Sequence, residues 1–158
     1  MNIVYHPIGR LVTPFERPEE MPIQPCSTTV KKGHAVIFED FVNGLKDLTM
    51  FSHVVLIYHL HKQSGVSLLV KPFLDIEEHG IFATRAPARP NPIGMSVVKL
   101  LGIEGNILFF ENLDMLNDTP LLDIKPYVPE FDRPDNPSSG WLSKAENPSA
   151  MKSDERFI

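Results

Sequence analysis

Apolar and polar positions alternate over residues 52–61 (SHVVLIYHLH), with Val54, Leu56, Tyr58 and Leu60 on one side and His53, Val55, Ile57, His59 and His61 on the other. An uninterrupted apolar face at a period of two predicts a strand laid against a core. Shorter runs at residues 3–12, 35–39, 67–74, 94–101, 107–111 and 121–125 predict further strands. Pro7 and Gly9 put a bend in the first of these, and Pro72 places residues 67–74 near a sheet edge. Gly105-Asn106 reads as the turn of a hairpin. Helical spacing occurs once, where Asp40 is a candidate cap before Phe41, Leu45 and Leu48, with Gly44 inside the segment. Six or seven short strands, one minor helix and no strand–helix alternation predict an all-β fold. A closed or nearly closed, mostly antiparallel β-barrel is expected, because closure removes unpaired edges.

The pattern changes after Pro129, where four prolines from Pro129 to Pro148 fall among polar residues and Trp141-Leu142 is the only apolar pair. This divides the chain into a barrel over residues 1–132 and an irregular tail over 133–158, held by one anchor and disordered after about Asn147. At 158 residues the chain has the length of one domain with a substantial core. Its 15 prolines disfavour a helical bundle. No apolar run approaches the roughly 20 residues needed to cross a bilayer, and no basic-then-apolar leader opens the chain. The single Cys26 permits no internal disulfide and reads as a small apolar residue; a cytoplasmic protein is expected. A net charge of −5 disfavours a general nucleic-acid binder, leaving contact with RNA through one local positive patch or across a subunit interface.

Residues 80–96, GIFATRAPARPNPIGMS, carry Arg85 and Arg89 in a loop stiffened by Pro87, Pro90 and Pro92. Between Phe82 and Lys99 these arginines and Lys99 are the only charged residues. Two readings stand: a clamp for an anion, or a rigid surface turn whose arginines pair with carboxylates elsewhere. A second segment, residues 113–129, reads LDMLNDTPLLDIKPYVP. Within it Asn117, Asp118 and Pro120 form a turn whose side chains can bond their own backbone. Asp123 and Lys125 share a strand face, where the lysine would keep the aspartate ionised. His59 and His61 also share a face, but no third ligand stands at metal-site spacing, so no metal is expected.

These two segments, ATRAPARPNPIGMS and DTPLLDIKPYVP, resemble the small β-barrel S-adenosylmethionine-dependent tRNA methyltransferases that act on N6-threonylcarbamoyladenosine beside the anticodon. The resemblance runs over about residues 3–132. It implies S-adenosylmethionine bound without a Rossmann domain, a tRNA anticodon loop as partner, and a homodimer with cofactor sites near the interface. It also implies cofactor contacts from His61 and Lys62. Pro22, Ile23 and Gln24 match a Pro-Arg-Gln contact stretch, with isoleucine in the arginine's place. Asn117, Asp118, Thr119 and Pro120 match an Asp-Gly-Thr-Pro run, also at the cofactor. Methyl transfer from a sulfonium demands alignment above all. Phe82, Met95, Leu116 and Leu121 could form an apolar cradle, and Arg85 or Arg89 suits a cofactor carboxylate or an RNA phosphate. Asp123 and Tyr127 are the candidates for a base at the acceptor nitrogen. Two alternatives are methylation of another acceptor and a non-catalytic module that binds or senses the cofactor.

Overall fold

The computed structural model describes residues 2–21, 31–72 and 75–144. Pro22, Ile23, Gln24, Cys26, Leu74 and the chain after Lys144 lie outside these, as do the expectations resting on them. Among the described residues eight strands form: β1 (Gly9–Val12), β2 (Lys32–Ile37), β3 (His53–His59), β4 (Leu69–Val70), β5 (His79–Gly80), β6 (Ile93–Glu104), β7 (Ile107–Glu111) and β8 (Thr119–Pro126). Six of them close a barrel in the order β1-β2-β7-β6-β3-β8, while β4 and β5 pair as a separate two-stranded ribbon. All pairings are antiparallel. The all-β barrel expected from the alternation is therefore what forms.

β3 follows the alternation residue by residue, with Val54, Leu56 and Tyr58 buried and the four residues between and flanking them only partly so. Gly105, at φ +59°, supplies the left-handed backbone that turns β6 into β7, as expected for the Gly105-Asn106 pair. The inward residues of the strands, among them Leu11, Ile37, Val98, Leu108, Phe110 and Leu121, join Leu113 and Met115 in one core.

Three expectations are corrected. The first strand begins at Gly9, not residue 3: Ile3, Val4 and Tyr5 are exposed and lie outside the ladder. Among its described residues, the run at 67–74 yields only the two residues of β4, which pair with β5 away from the barrel. The helix after Asp40 is 3₁₀, over Glu39–Leu45 and again over Leu48–Met50. Asp40 lies inside it, the cap position is Phe38, and no side chain caps it. Val42, Leu45 and Leu48 pack against the core, a spacing of three that matches the 3₁₀ repeat. Full burial of an aliphatic side chain is worth about 1.5–3 kcal/mol, so partial burial of three offsets the poorer hydrogen bonds of a 3₁₀ segment. The α-helix is instead a single turn, α1 (Pro129–Asp132), closed by the Val128 N–H donating to Asp132 Oδ2 at 2.7 Å.

At one end of the barrel Tyr58 lies between Gly94 of β6 and Leu121 of β8. A Cβ on Gly94 would overlap the Tyr58 ring, whereas one on Gly102 would meet nothing within 4 Å. Gly94→Ala is therefore expected to lower stability by about 1–3 kcal/mol, the usual cost of overpacking, and Gly102→Ala, on the same strand, serves as its control. Urea denaturation checks this: a Gly94→Ala midpoint equal to that of Gly102→Ala would mean that the ring has room to move.

Candidate functional site

The C-terminal end of β3 brings the two proline-bounded segments together. β3 lies between β6 and β8, so Tyr58 pairs with Gly94 from the first segment and with Leu121 from the second. The Leu60 N–H donates to the Pro92 carbonyl at 2.8 Å, tying the strand's exit to the proline loop.

A buried polar chain sits at this junction. The Ser96 hydroxyl donates to Asp114 Oδ1 at 2.6 Å, and the Tyr58 hydroxyl lies 2.9 Å from Ser96 Oγ. With the serine's one proton directed at Asp114, the tyrosine is the donor to Ser96. Tyr58 and Ser96 are buried at 5% and 2% exposure. Burial raises the Tyr58 phenol well above its ordinary value, and the Asp114 carboxylate adds to that rise. Burial likewise pushes the Asp114 carboxyl up to about 7; the bond from Ser96, the residue's own backbone and the Arg85 charge act in the opposite direction. Asp114 stands in the second segment as one of its carboxylates, and the sequence assigned it no role at the site. In sequence it is only the polar member of Leu113-Asp114-Met115; the structure sinks both neighbours in the core and brings Ser96 to it.

The arginine loop is braced from within. Arg89 Nη1 donates to the carbonyls of Thr84 at 2.9 Å and Ile81 at 3.1 Å, and its guanidinium lies 5.9 Å from the Phe82 ring centroid. The Thr84 hydroxyl donates to the Ile81 carbonyl and accepts from the Ala86 N–H. Arg85 stands exposed on the rim. The tail supplies its expected anchor: Trp141 Nε1 donates to the Ala83 carbonyl at 2.8 Å and stacks on His79, 4.5 Å between ring centroids. His79 in turn bonds Asp75 at 3.0 Å.

His61 and Lys62 follow β3 at the same end, with Lys62 exposed. Burial, then the charges of Lys62 and His59, lower the His61 imidazole below its ordinary value. Its Nδ1 lies 3.4 Å from the buried Thr119 hydroxyl, which donates to the Leu116 carbonyl at 2.8 Å. Asn117 and Asp118 form the expected turn, but their side chains do not bond their own backbone. Asn117 accepts from the Thr13 N–H at 3.2 Å and donates to Glu16 at 3.0 Å, and Asp118 pairs with Arg10 at 2.7 Å. Pro120, partly buried, faces Arg10 across the β1–β8 pairing.

Other candidates fall elsewhere. Asp123 and Lys125 do share the outer face, 2.8 Å apart, and the Asp123 bond raises the Lys125 ammonium. Tyr127 lies beside His53, at the other end of β3, roughly 16 Å along the strand from Tyr58 at 3.3 Å per residue. Leu121 is sealed in the core and lines no surface cradle, while Phe82 and Met95 are exposed. No group of three or more His, Cys, Asp or Glu among the described residues is placed to hold a metal.

A family model described as the tRNA-methyltransferase O N-terminal domain matches residues 10–133. A "Probable S-adenosyl-L-methionine-binding protein" of Pyrococcus abyssi is 53% identical over 144 residues, 91% of this chain and 78% of that protein. The human tRNA (adenine(37)-N6)-methyltransferase is 35% identical over 142 residues, 85% of this chain and 32% of the human one. The crystal structure of TrmO from Pseudomonas aeruginosa superposes with a TM-score of 0.76 at 36% identity, covering 89% of this chain and 63% of that one. The chain thus spans about a third of the human relative and under two thirds of the bacterial structure.

Two outcomes follow from this geometry. Arg89→Ala should leave the barrel's global unfolding nearly unchanged while raising amide hydrogen exchange across residues 81–89, because the carbonyls it clips belong to the loop and not to the core. Unaltered exchange there would show that the prolines alone hold the loop. The raised Asp114 carboxyl makes the folded state bind more protons than the unfolded one between about pH 4 and 7. Its contribution to stability is present at low pH and is lost as pH rises through about 7. The stability difference between wild type and Asp114→Asn should therefore shrink over that window, which urea midpoints at pH 4.5 and 7.5 would reveal. A difference constant with pH would place the carboxyl in its ordinary range.

Proposed function

The chain belongs to the tRNA-methyltransferase O N-terminal domain family, and from that premise we propose that it methylates tRNA. The acceptor in this reading is N6 of adenosine 37, beside the anticodon and carrying the threonylcarbamoyl group, and the methyl donor is S-adenosylmethionine. One observation carries the proposal: both proline-bounded segments meet on either side of Tyr58, at the end of one strand.

The residues there fit the donor. Gln63 Oε1 is buried with no hydrogen-bond partner among the described residues, and it follows directly on His61 and Lys62. A buried orphan acceptor is costly, and an amino group of the cofactor is a partner of the right kind. When bound, S-adenosylmethionine supplies an electrophilic methyl group on a sulfonium. His61, Lys62, Arg85, Arg89 and the Asn117-Asp118-Thr119-Pro120 turn are assigned to holding it, together with Pro22, Ile23 and Gln24. Their task is alignment, since in-line transfer gains most from fixed geometry. The braced arginine loop and the turn tied to Thr13 and Glu16 are both rigid enough for it.

A homodimer, in the cytoplasm, belongs to the same reading. Val66, Leu68, Leu69, Ile76 and Phe82 are exposed apolar side chains around the arginine loop, with Ile76 at 84% and Phe82 at 76%. Exposed apolar groups in such number favour an interface, which would set the loop against a second copy. A local RNA contact formed in this way is compatible with the net charge of −5.

Isothermal titration should give saturable binding of S-adenosylmethionine, and labelled methyl should enter anticodon-loop RNA bearing the threonylcarbamoyl group. Absence of binding at millimolar cofactor would defeat the proposal. Label entering protein or small molecules, with RNA unlabelled, would move the activity to another acceptor.

A further inference from the structure

In-line methylation of an amide-like N6 leaves one proton to be removed, and a group must take it. We propose that Asp114 is that proton acceptor, set in place by Ser96 and Tyr58. The proposal rests on the methyl-transfer reading above and adds to it the residue that handles the proton.

Position comes first. Leu113 and Met115 are buried at 1% and 2%, while Asp114 between them is only partly so. Its carboxyl nevertheless lies at the end of the barrel marked by Tyr58, where it meets Ser96. The backbone there is pinned on the β1 side, where the Thr13 hydroxyl donates to the Met115 carbonyl at 2.9 Å. From β6, Ser96 donates to Oδ1 at 2.6 Å. From β3, Tyr58 reaches Ser96 at 2.9 Å. From the arginine loop, the Arg85 charge acts on the carboxyl. One carboxyl thus touches elements of both family segments at the point where they meet.

Chemistry comes second. Asp123 lies on the outer face of β8, and its carboxylate is already paired with Lys125 at 2.8 Å. Tyr127 stands at the far end of β3. Asp114 is set apart by burial, which holds its carboxyl near neutrality, the range in which a carboxylate is both available and basic enough to act as a general base. The balanced step is the following. The N6–H bond breaks and its proton passes to an Asp114 carboxylate oxygen. The nitrogen pair forms the N–C bond to the methyl carbon as the C–S bond breaks, and the sulfur leaves with that bond's electrons as a neutral thioether.

The test joins two measurements on the intact protein. Carbon-13 NMR of the side-chain carboxyls, without cofactor, follows the titration of Asp114 in wild type and Ser96→Ala. The pH dependence of kcat/KM and kcat on modified tRNA is recorded for wild type, Ser96→Ala and Asp114→Asn. The expected result is a wild-type carboxyl midpoint of about 7, matched by the rising limb of kcat/KM, which reports the free enzyme. In Ser96→Ala both should move upward together, because the lost hydrogen bond favoured the ionised form. Asp114→Asn, which can still accept from Ser96, should bind S-adenosylmethionine as wild type does and lose about 10²–10⁴-fold in kcat. An Asp114 midpoint in the ordinary carboxylate range would overturn the proposal, as would an Asp114→Asn enzyme with wild-type kcat. Should Asp114→Asn fail to fold, the Ser96→Ala comparison decides alone: a carboxyl shift that the kcat/KM limb does not follow overturns it. A wild-type protein that binds no cofactor and methylates no RNA would instead sink the methyltransferase reading, while the carboxyl titration stands apart from that failure.

Discussion

Tyr58 imposes the constraint on which the rest of this end of the barrel depends. It is a large aromatic residue at an inward position of β3, so its ring must be given room and its hydroxyl must be given a partner. Room comes from Gly94, where any side chain would collide with the ring. The partner is Ser96, two residues along the same strand and so on the same face. Leaving that buried hydroxyl unpaired would cost about 1–3 kcal/mol, comparable to the burial of a whole aliphatic side chain. Ser96 then needs an acceptor of its own, and Asp114 provides it. One polar handle on a core residue thereby accounts for a glycine and a serine in the first segment and an aspartate in the second.

The two arginines of the first segment are held apart by the same logic of partners. Arg89 directs Nη1 into the loop, to the carbonyls of Ile81 and Thr84, which have no ladder to satisfy them. It serves as an internal clip, and the planar fork of a guanidinium suits that role better than a lysine would. Arg85 stays on the rim, where its charge reaches Tyr58 and Asp114. The loop gains a second brace from the tail, through Trp141 on His79 and Ala83. Prolines restrict the unfolded chain, the guanidinium clips the folded one, and together they stiffen the loop between the 3₁₀ turn at Ile81–Ala83 and β6.

Strand identity was legible because period-two alternation is local, and β3, β7 and the Gly105-Asn106 turn were read from it directly. Strand extent was not. β6 runs to Glu104, past Leu101, because a register shift opposite Phe110 and Phe109 lets it keep pairing with β7. Residues 3–7 resemble strand yet stay outside the ladder, which no local pattern discloses. The 3₁₀ segment was misread because Phe41, Leu45 and Leu48 fit α-helical spacing, whereas Phe41 is exposed and Val42 packs with Leu45 and Leu48 at a spacing of three. At the site, the arginine loop and the turn before β8 announced themselves through proline and composition. Asp114 did not, since its meaning comes from Ser96, 18 residues away in the chain and adjacent only once the barrel closes.

The turn at Asn117-Asp118 shows how the site's shape survives a change of residues. The family's run has glycine where this chain has Asp118, and the backbone there sits at φ +56°, the left-handed region that glycine enters freely. A residue with a Cβ enters it at a cost of roughly 1–2 kcal/mol, with aspartate among the more tolerant. The Arg10 pair is exposed on both sides, so by itself it offsets at most about 1 kcal/mol. What holds the turn is the residue before it. Asn117 is bonded through its backbone to Phe15 and through its side chain to Thr13 and Glu16, three contacts to a segment about a hundred residues distant. The turn is thus dictated from outside, by the β1 side of the barrel, and Asp118 follows a path already set. Thr119 and Pro120, which begin β8, are delivered to the site in register whichever residue occupies the left-handed position.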